Sequence, residues 1–135
     1  MSSDQRLYGL RILAAEDVEV NRLVVEDILV YEGAHVQFAE DGQQAVDLVV
    51  ALGASAFDVV LMDIQMPVMD GLEATRRIRD IAPNIPVIAL TARVFSEDRQ
   101  HCLDAGMADH LTKPIDPERL VAAILGQTAS SKRKR

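Results

Sequence analysis

The sequence is short of aromatic residues, cysteine and long apolar segments. Trp is absent and aromatic residues make up 4% of the chain, so a core must be built from Val, Ile, Leu, Ala and Met. The single cysteine, Cys102, excludes an internal disulfide and is in keeping with a reducing compartment. The apolar stretch from Leu7 to Ala15 is interrupted by Arg11 and followed by two acids, which fits neither a signal peptide nor a membrane span. We therefore expect a cytoplasmic protein.

Acidic residues outnumber basic ones. The chain has 14 Lys and Arg against 21 Asp and Glu, a formal net charge of −7. Four of the bases form the terminal run 132–135, so the rest of the chain carries −11. Such a surface repels nucleic acid and favours basic or metal-bearing partners. We expect no direct contact with nucleic acid, and we interpret residues 127–135 as a flexible basic tail.

Short apolar runs alternate with segments of helical periodicity along the 135 residues. The predicted strands are 12–15, 35–39, 57–62, 86–90 and 110–112. The predicted helices are 20–33, 41–52, 71–81, one that starts at Ser96 and one opened by Asp116 and Pro117. Asp41 and Asp70 are in position to cap the second and third of them.

This (βα)5 alternation predicts a single α/β domain of three layers. Right-handed crossovers place helices on both faces of a parallel sheet, in a doubly wound arrangement. We expect the flavodoxin-like strand order 2-1-3-4-5, with the domain spanning residues 10–126 and residues 1–9 as an N-terminal extension.

The segment from Phe57 to Gly71, FDVVLMDIQMPVMDG, places one carboxylate at a functional position. Its apolar run stops at Asp63 and then meets Pro67 and Gly71, as expected of a buried strand that opens into a loop. In open parallel sheets, ligands bind at the carboxyl ends of the strands. Asp63 is therefore a candidate for chemistry.

The other strand ends carry complementary groups. Glu16 and Asp17 follow the first strand, Thr91 the fourth and Lys113 the fifth. Carboxylates at close range repel each other, so a cluster of three requires neutralisation. Oxygen ligands without nearby His or Cys favour Mg²⁺, which with Lys113 brings the formal charge to zero and lets a phosphoryl group approach. An aspartate carboxylate is a known nucleophile toward phosphorus.

These residues identify a resemblance to the receiver domains of two-component response regulators. Four motifs occur in order: the acid pair Glu16 and Asp17, Asp63 before MP and DG, ALTA ending in Thr91 and Ala92, and Lys113 followed by Pro114. The segment MDIQMPVMDGLEATRRIR is most similar to receivers attached to hybrid sensor histidine kinases. The resemblance spans residues 10–126.

The resemblance implies roles for individual residues. Asp63 would accept phosphate from a histidine kinase or a histidine phosphotransfer protein, assisted by Lys113 and Thr91. Asp17 and Asp63 would bind Mg²⁺ directly, Gln65 through its backbone carbonyl, and Glu16 through water. It also implies a cis peptide between Lys113 and Pro114.

Signal output is implied as well. Thr91, Ala92 and His110 would form the switch, and a downstream protein would bind the face made by the fourth helix, fifth strand and last helix. The domain would be a phosphoacceptor with slow self-dephosphorylation and no enzyme activity of its own, and a monomer or weak dimer.

Two positions depart from the family pattern. His110 stands where most receivers have Tyr or Phe, so the switch ring is polar and titratable. Val18 stands where a polar residue is common, so we expect a less polar loop.

Three alternatives stay open at this stage. A phosphate-independent receiver-like interaction domain would keep the fold without the chemistry. A Mg²⁺-dependent phosphohydrolase resembling haloacid dehalogenases needs a second acid two residues after its nucleophile, where this chain has Gln65. A flavin or nucleotide module is weaker, because no glycine-rich turn follows the first strand.

Overall fold

A computed structural model describes the backbone of residues 5–92 and 96–133, and the side chains of residues 5–92 and 100–128. Strands and helices alternate along the chain, as predicted. The strands are β1 (Arg11–Ala15), β2 (His35–Ala39), β3 (Val59–Asp63), β4 (Val87–Thr91) and β5 (Asp109–Thr112). The helices are α1 (Glu19–Tyr31), α2 (Gly42–Leu52), α3 (Gly71–Ile81), α4 (Ser96–Ala105) and α5 (Pro117–Arg133).

All strand pairings are parallel, and the strand order is β2-β1-β3-β4-β5. The predicted 2-1-3-4-5 order is therefore confirmed. β1 and β3 are neighbours, with Ala15 opposite Met62, and β3 and β4 pair with Asp63 opposite Leu90. This register places the carboxyl ends of β1, β3 and β4 side by side.

The sheet separates two apolar layers. On one side, Ile12, Val59 and Leu61 pack with α1 and α5 residues such as Leu29 and Leu120. On the other, Leu13, Val60 and Met62 pack with residues of α2, α3 and α4. Every residue of β3 is buried, because this central strand is covered on both faces, as expected for a doubly wound sheet.

Asp41 and Asp70 cap the N-termini of α2 and α3, as predicted. Asp41 accepts a hydrogen bond from the Gln44 amide at 2.8 Å and Asp70 accepts one from the Glu73 amide at 2.9 Å. The second cap fixes the start of α3 directly after the loop that follows Asp63. α1 differs, since its N-cap is Val18 and no side chain caps it.

Residues before position 10 also pack against the core. Leu7 is fully buried in the α1 and α5 layer, and its amide donates to the Glu32 carbonyl at 2.9 Å. Arg6 pairs with Glu32 at 2.7 Å and with Glu118 at 2.8 Å, which joins the end of α1 to the start of α5. Residues 6–9 therefore belong to the folded unit, because Leu7 completes its core.

The last helix extends beyond residue 126. α5 continues to Arg133, through most of the stretch predicted to be a flexible tail. Thr128 is buried and its hydroxyl donates to the Ile124 carbonyl at 2.8 Å, so the helix packs beyond Gly126. Within the described ranges, no helix combines the length and apolarity required to cross a membrane.

Candidate functional site: an acidic pocket at the carboxyl edge of the sheet

Asp63 is the last residue of β3 and is buried. Its Oδ1 accepts a hydrogen bond from the Gln65 amide at 3.2 Å. The backbone beside it is held on two sides, because the Ile64 amide donates to the Leu90 carbonyl and the Gly71 amide donates to the Ile64 carbonyl. The carboxylate is thus fixed at a strand end, as its position in the sequence predicts.

Lys113 reaches back across the pocket from the end of β5. Its Nζ lies 3.0 Å from Asp63 Oδ2 and 2.8 Å from Glu16 Oε1. The Lys113 amide donates to the Thr91 carbonyl at 2.7 Å, which anchors this residue to β4. The Lys113–Pro114 peptide bond is cis, which confirms the expectation from the family resemblance.

Three carboxylates meet at this edge. Glu16, Asp17 and Asp63 each offer one oxygen, and these oxygens all lie within 4.8 Å of one another. Three carboxylates and one ammonium leave a formal charge of −2, which suits one small dication. Glu16 Oε1 is buried and, among the described residues, is ion-paired without a directed hydrogen bond. The donor set of hard oxygens therefore fits Mg²⁺.

Glu16 is held by the first turn of α1. Its Oε2 accepts hydrogen bonds from the Val18 amide at 3.1 Å and the Asn21 side chain at 3.4 Å. Its backbone carbonyl accepts one from Arg22 Nη1 at 2.8 Å. Both ends of this residue are therefore fixed by the helix that follows it.

The pKa values of Asp63 and Glu16 are shifted in opposite directions. Burial raises the pKa of Asp63 to about 6, Lys113 opposes this rise, and the Glu16 charge adds to it. Burial also works to raise the pKa of Glu16, but Lys113 and the Val18 amide outweigh it, so that pKa is lowered. The two carboxylates raise the pKa of Lys113 above its ordinary value despite desolvation. The lysine therefore stays charged, and a dication would complete the neutralisation.

The other predicted residues lie at the end of β4, on β5 and on the loop after β3. Thr91 ends β4, half-buried, one residue beyond the Asp63–Leu90 pairing, and Ala92 is exposed. Gln65 is exposed on the loop after β3. His110 lies opposite Ala89 on β5 and lines a cleft of about 330 Å³ with Lys113 and Pro114, among others.

Four residues at the site were not singled out by the sequence. Asn21 and Arg22 have the spacing of ordinary helix residues, and nothing in the pattern indicates that they hold Glu16. Gly71 and Val68 lie in a turn that the sequence predicts. The turn signal alone does not show that Gly71 packs on the Asp63 backbone or that Val68 has a positive φ of 70°.

The fold and site define a flavodoxin-like domain with a lysine-bridged acidic pocket. The family described as the response regulator receiver domain matches residues 12–125. The chain therefore belongs to this family and is a receiver domain of two-component and phosphorelay signalling.

Relatives of the chain include longer kinases. Hybrid signal transduction histidine kinase I of Dictyostelium discoideum is 38% identical over 128 residues, which is 90% of this chain and 7% of that protein. The chain thus spans a small fraction of the curated relatives it matches. The similarity to receivers of hybrid sensor kinases inferred from the sequence is confirmed.

Two solved structures are informative. The receiver domain of sensor histidine kinase PA1611 from Pseudomonas aeruginosa PAO1 has a TM-score of 0.81 at 39% identity, covering 90% of this chain and 98% of that one, with a magnesium ion coordinated in its active site cleft. The receiver domain of Saccharomyces cerevisiae Ssk1, co-crystallised with the histidine phosphotransfer protein Ypd1, has a TM-score of 0.83 at 27% identity and 90% coverage of both chains.

Proposed function

We propose that Asp63 accepts a phosphoryl group from the phosphohistidine of a histidine kinase or histidine phosphotransfer protein. The observation that carries this proposal is the convergence of Glu16, Asp17 and Asp63 within 4.8 Å around a lysine that contacts Asp63 at 3.0 Å. The yeast neighbour bound to a phosphotransfer protein supports this class of donor.

A Mg²⁺ ion is the cofactor we propose for this pocket. Asp17 and Asp63 would hold it directly, the Gln65 backbone carbonyl would add a ligand, and Glu16 would act through water. When bound, the ion neutralises carboxylate charge and stabilises negative charge on the phosphoryl oxygens. The magnesium in the Pseudomonas neighbour supports this assignment.

The chain's own residues perform the transfer. An Asp63 carboxylate oxygen forms the new bond to phosphorus while the phosphorus–nitrogen bond of the donor breaks, and the electron pair leaves with the imidazole. Lys113 pairs with a phosphoryl oxygen, which it can do because its pKa is raised and it remains charged. The Gln65 amide holds the Asp63 carboxylate and the Gly71 amide holds the neighbouring Ile64 carbonyl, so that Asp63 stays in place.

The negative charge of the phosphoryl group would then change the surface that a partner protein binds. A phosphoryl group adds roughly −1.5 to −2 charge, and Thr91, at the end of the next strand, would move toward it. Ala92 leaves space for that movement and His110 would follow on β5. The face formed by α4, β5 and α5 would bind the downstream protein in one of its two arrangements.

One position argues against the phosphohydrolase alternative. Gln65 lies exposed on the loop after Asp63, and its amide side chain cannot protonate a leaving group as a phosphohydrolase requires. A phosphate-independent receiver-like domain would keep the pocket and take no phosphate.

The test is labelling by a small acyl phosphate with Mg²⁺. We expect one phosphoryl group, labile to acid and to alkali as an acyl phosphate is, on the wild type and none on Asp63→Asn. The matched control is Asp70→Asn, since Asp70 caps α3 on the same loop without joining the pocket, and it should still be labelled. Equal labelling of Asp63→Asn would reject the assignment, and no labelling of the wild type would favour the phosphate-independent alternative.

A further inference from the structure

We propose that Arg22 is a positioning residue of the acidic pocket, which holds the backbone of Glu16 from α1 and thereby fixes the carboxylates. This inference rests on the proposed magnesium site. It concerns a residue that contacts neither the phosphoryl group nor the ion, and that acts through Glu16.

The turn between β1 and α1 needs such a residue because it lacks an ordinary cap. Val18 occupies the N-cap position in an extended conformation and no side chain caps the helix there. The turn is instead closed by two hydrogen bonds, one to the side chain of Glu16 and one to its backbone. The Glu16 carboxylate accepts from the Val18 amide at 3.1 Å, and the Glu16 carbonyl accepts from Arg22 at 2.8 Å.

The Arg22 link satisfies a polar group in a buried residue. Glu16 is 1% exposed, and a buried backbone carbonyl is costly to leave without a partner. The Glu16 amide already donates to the Ala39 carbonyl at 3.0 Å, so Arg22 fixes the opposite side of the same residue. With both sides held, the Glu16 carboxylate points to Lys113 and Asp17 follows in a set position.

Two possible roles of Arg22, as a nearby positive charge and as a positioning residue, predict opposite effects of its removal on Mg²⁺ affinity. A cation beside an acidic pocket repels a dication, so if Arg22 acted only by its charge, its removal would strengthen Mg²⁺ binding. If Arg22 positions Glu16, its removal frees the β1–α1 turn and weakens Mg²⁺ binding. Loss of residues that orient ligands typically lowers metal affinity by about 10-fold or more.

The experiment compares Mg²⁺ affinity by calorimetric titration in the wild type, Arg22→Ala and Arg22→Lys. We expect Arg22→Ala to lose about 10-fold, and Arg22→Lys to keep most of the affinity because an ammonium can donate to the same carbonyl. The matched control is Arg77→Ala, which removes an exposed arginine paired with Glu73 on α3, and should bind Mg²⁺ like the wild type.

A second readout needs no metal. In Mg²⁺-free protein, hydrogen exchange of the Val18 amide should accelerate in Arg22→Ala, while exchange of the Gly71 amide, bonded to Ile64 across the pocket, should not. Unchanged exchange at Val18, or Mg²⁺ affinity equal to or above that of the wild type in Arg22→Ala, would overturn the positioning role. Absence of Mg²⁺ binding by the wild type would instead reject the proposed function.

Discussion

Gly71 packs its α-carbon directly against the backbone carbonyl of Asp63. A methyl group at this position would overlap the Asp63 oxygen and lie 2.9 Å from Ile64 Cα. Both partners are backbone atoms, and the Gly71 amide is also bonded to the Ile64 carbonyl. The start of α3 therefore fixes the position of the Asp63 backbone, and only glycine allows the two segments to approach this closely.

We predict that Gly71→Ala both destabilises the fold and slows phosphorylation. Overpacking against backbone costs about 1–3 kcal/mol, and relief of the overlap must move Asp63 or α3. Urea unfolding and the rate of acyl phosphate labelling measure the two effects. Gly126→Ala is the matched control, because an added methyl there meets nothing within 4 Å. It should leave labelling unchanged, and labelling of Gly71→Ala at the wild-type rate would contradict the prediction.

Val68 holds a strained conformation in the loop between Asp63 and α3. Its φ is 70°, and the Met69 amide donates to the Pro67 carbonyl at 2.7 Å, which closes a γ-turn around it. A β-branched residue is unfavourable at positive φ, and its side chain, 83% exposed, gains little from packing.

We predict that Val68→Gly stabilises the protein. Backbone strain of this kind costs about 1–3 kcal/mol, which exceeds the roughly 0.4–1 kcal/mol of unfolded-state entropy that glycine adds. Thermal unfolding should show a higher melting temperature. Val50→Gly, at an exposed site inside α2, should show a lower one because glycine disfavours helix. A decrease in both variants would show that Val68 is unstrained.

Much of the pocket could be predicted because its residues sit at strand ends. Asp63 ends an apolar run and Lys113 precedes a proline. The alternation of strands and helices predicts a parallel sheet, in which both residues lie at the carboxyl edge. The order 2-1-3-4-5 then makes β1 and β3 neighbours. The convergence of Glu16 and Asp63 on Lys113 follows from these few features.

The supporting contacts could not be predicted because they involve backbone atoms. Arg22 binds a carbonyl and Gly71 packs against one, and no residue pattern marks which carbonyl a side chain will reach. The packing of Leu7 could not be predicted for a related reason. Leu7 begins the apolar stretch that leads into β1, and only its packing with residues of α1 and α5 shows that it belongs to the core.

The ionisation of Asp63 should destabilise the metal-free protein. Its pKa rises from 3.8 to about 6 on folding, so the folded protein holds this proton more tightly than the unfolded chain does. The resulting loss of stability is absent below about pH 4, where both states are protonated. It grows through the window between the two pKa values and is complete above about pH 6.

We therefore predict that Asp63→Asn raises the melting temperature of Mg²⁺-free protein at pH 7.5, and that this gain fades as the pH falls toward 4. A pKa rise of this size corresponds to at most about 3 kcal/mol. Added Mg²⁺ should reverse the order, because it stabilises the wild type and leaves the variant with a weaker site. Asp70→Asn should keep a melting temperature close to that of the wild type at pH 7.5, because asparagine caps a helix about as well as aspartate. A variant gain that stayed constant from pH 4 to 7.5 would show that packing, and not the buried charge, is responsible.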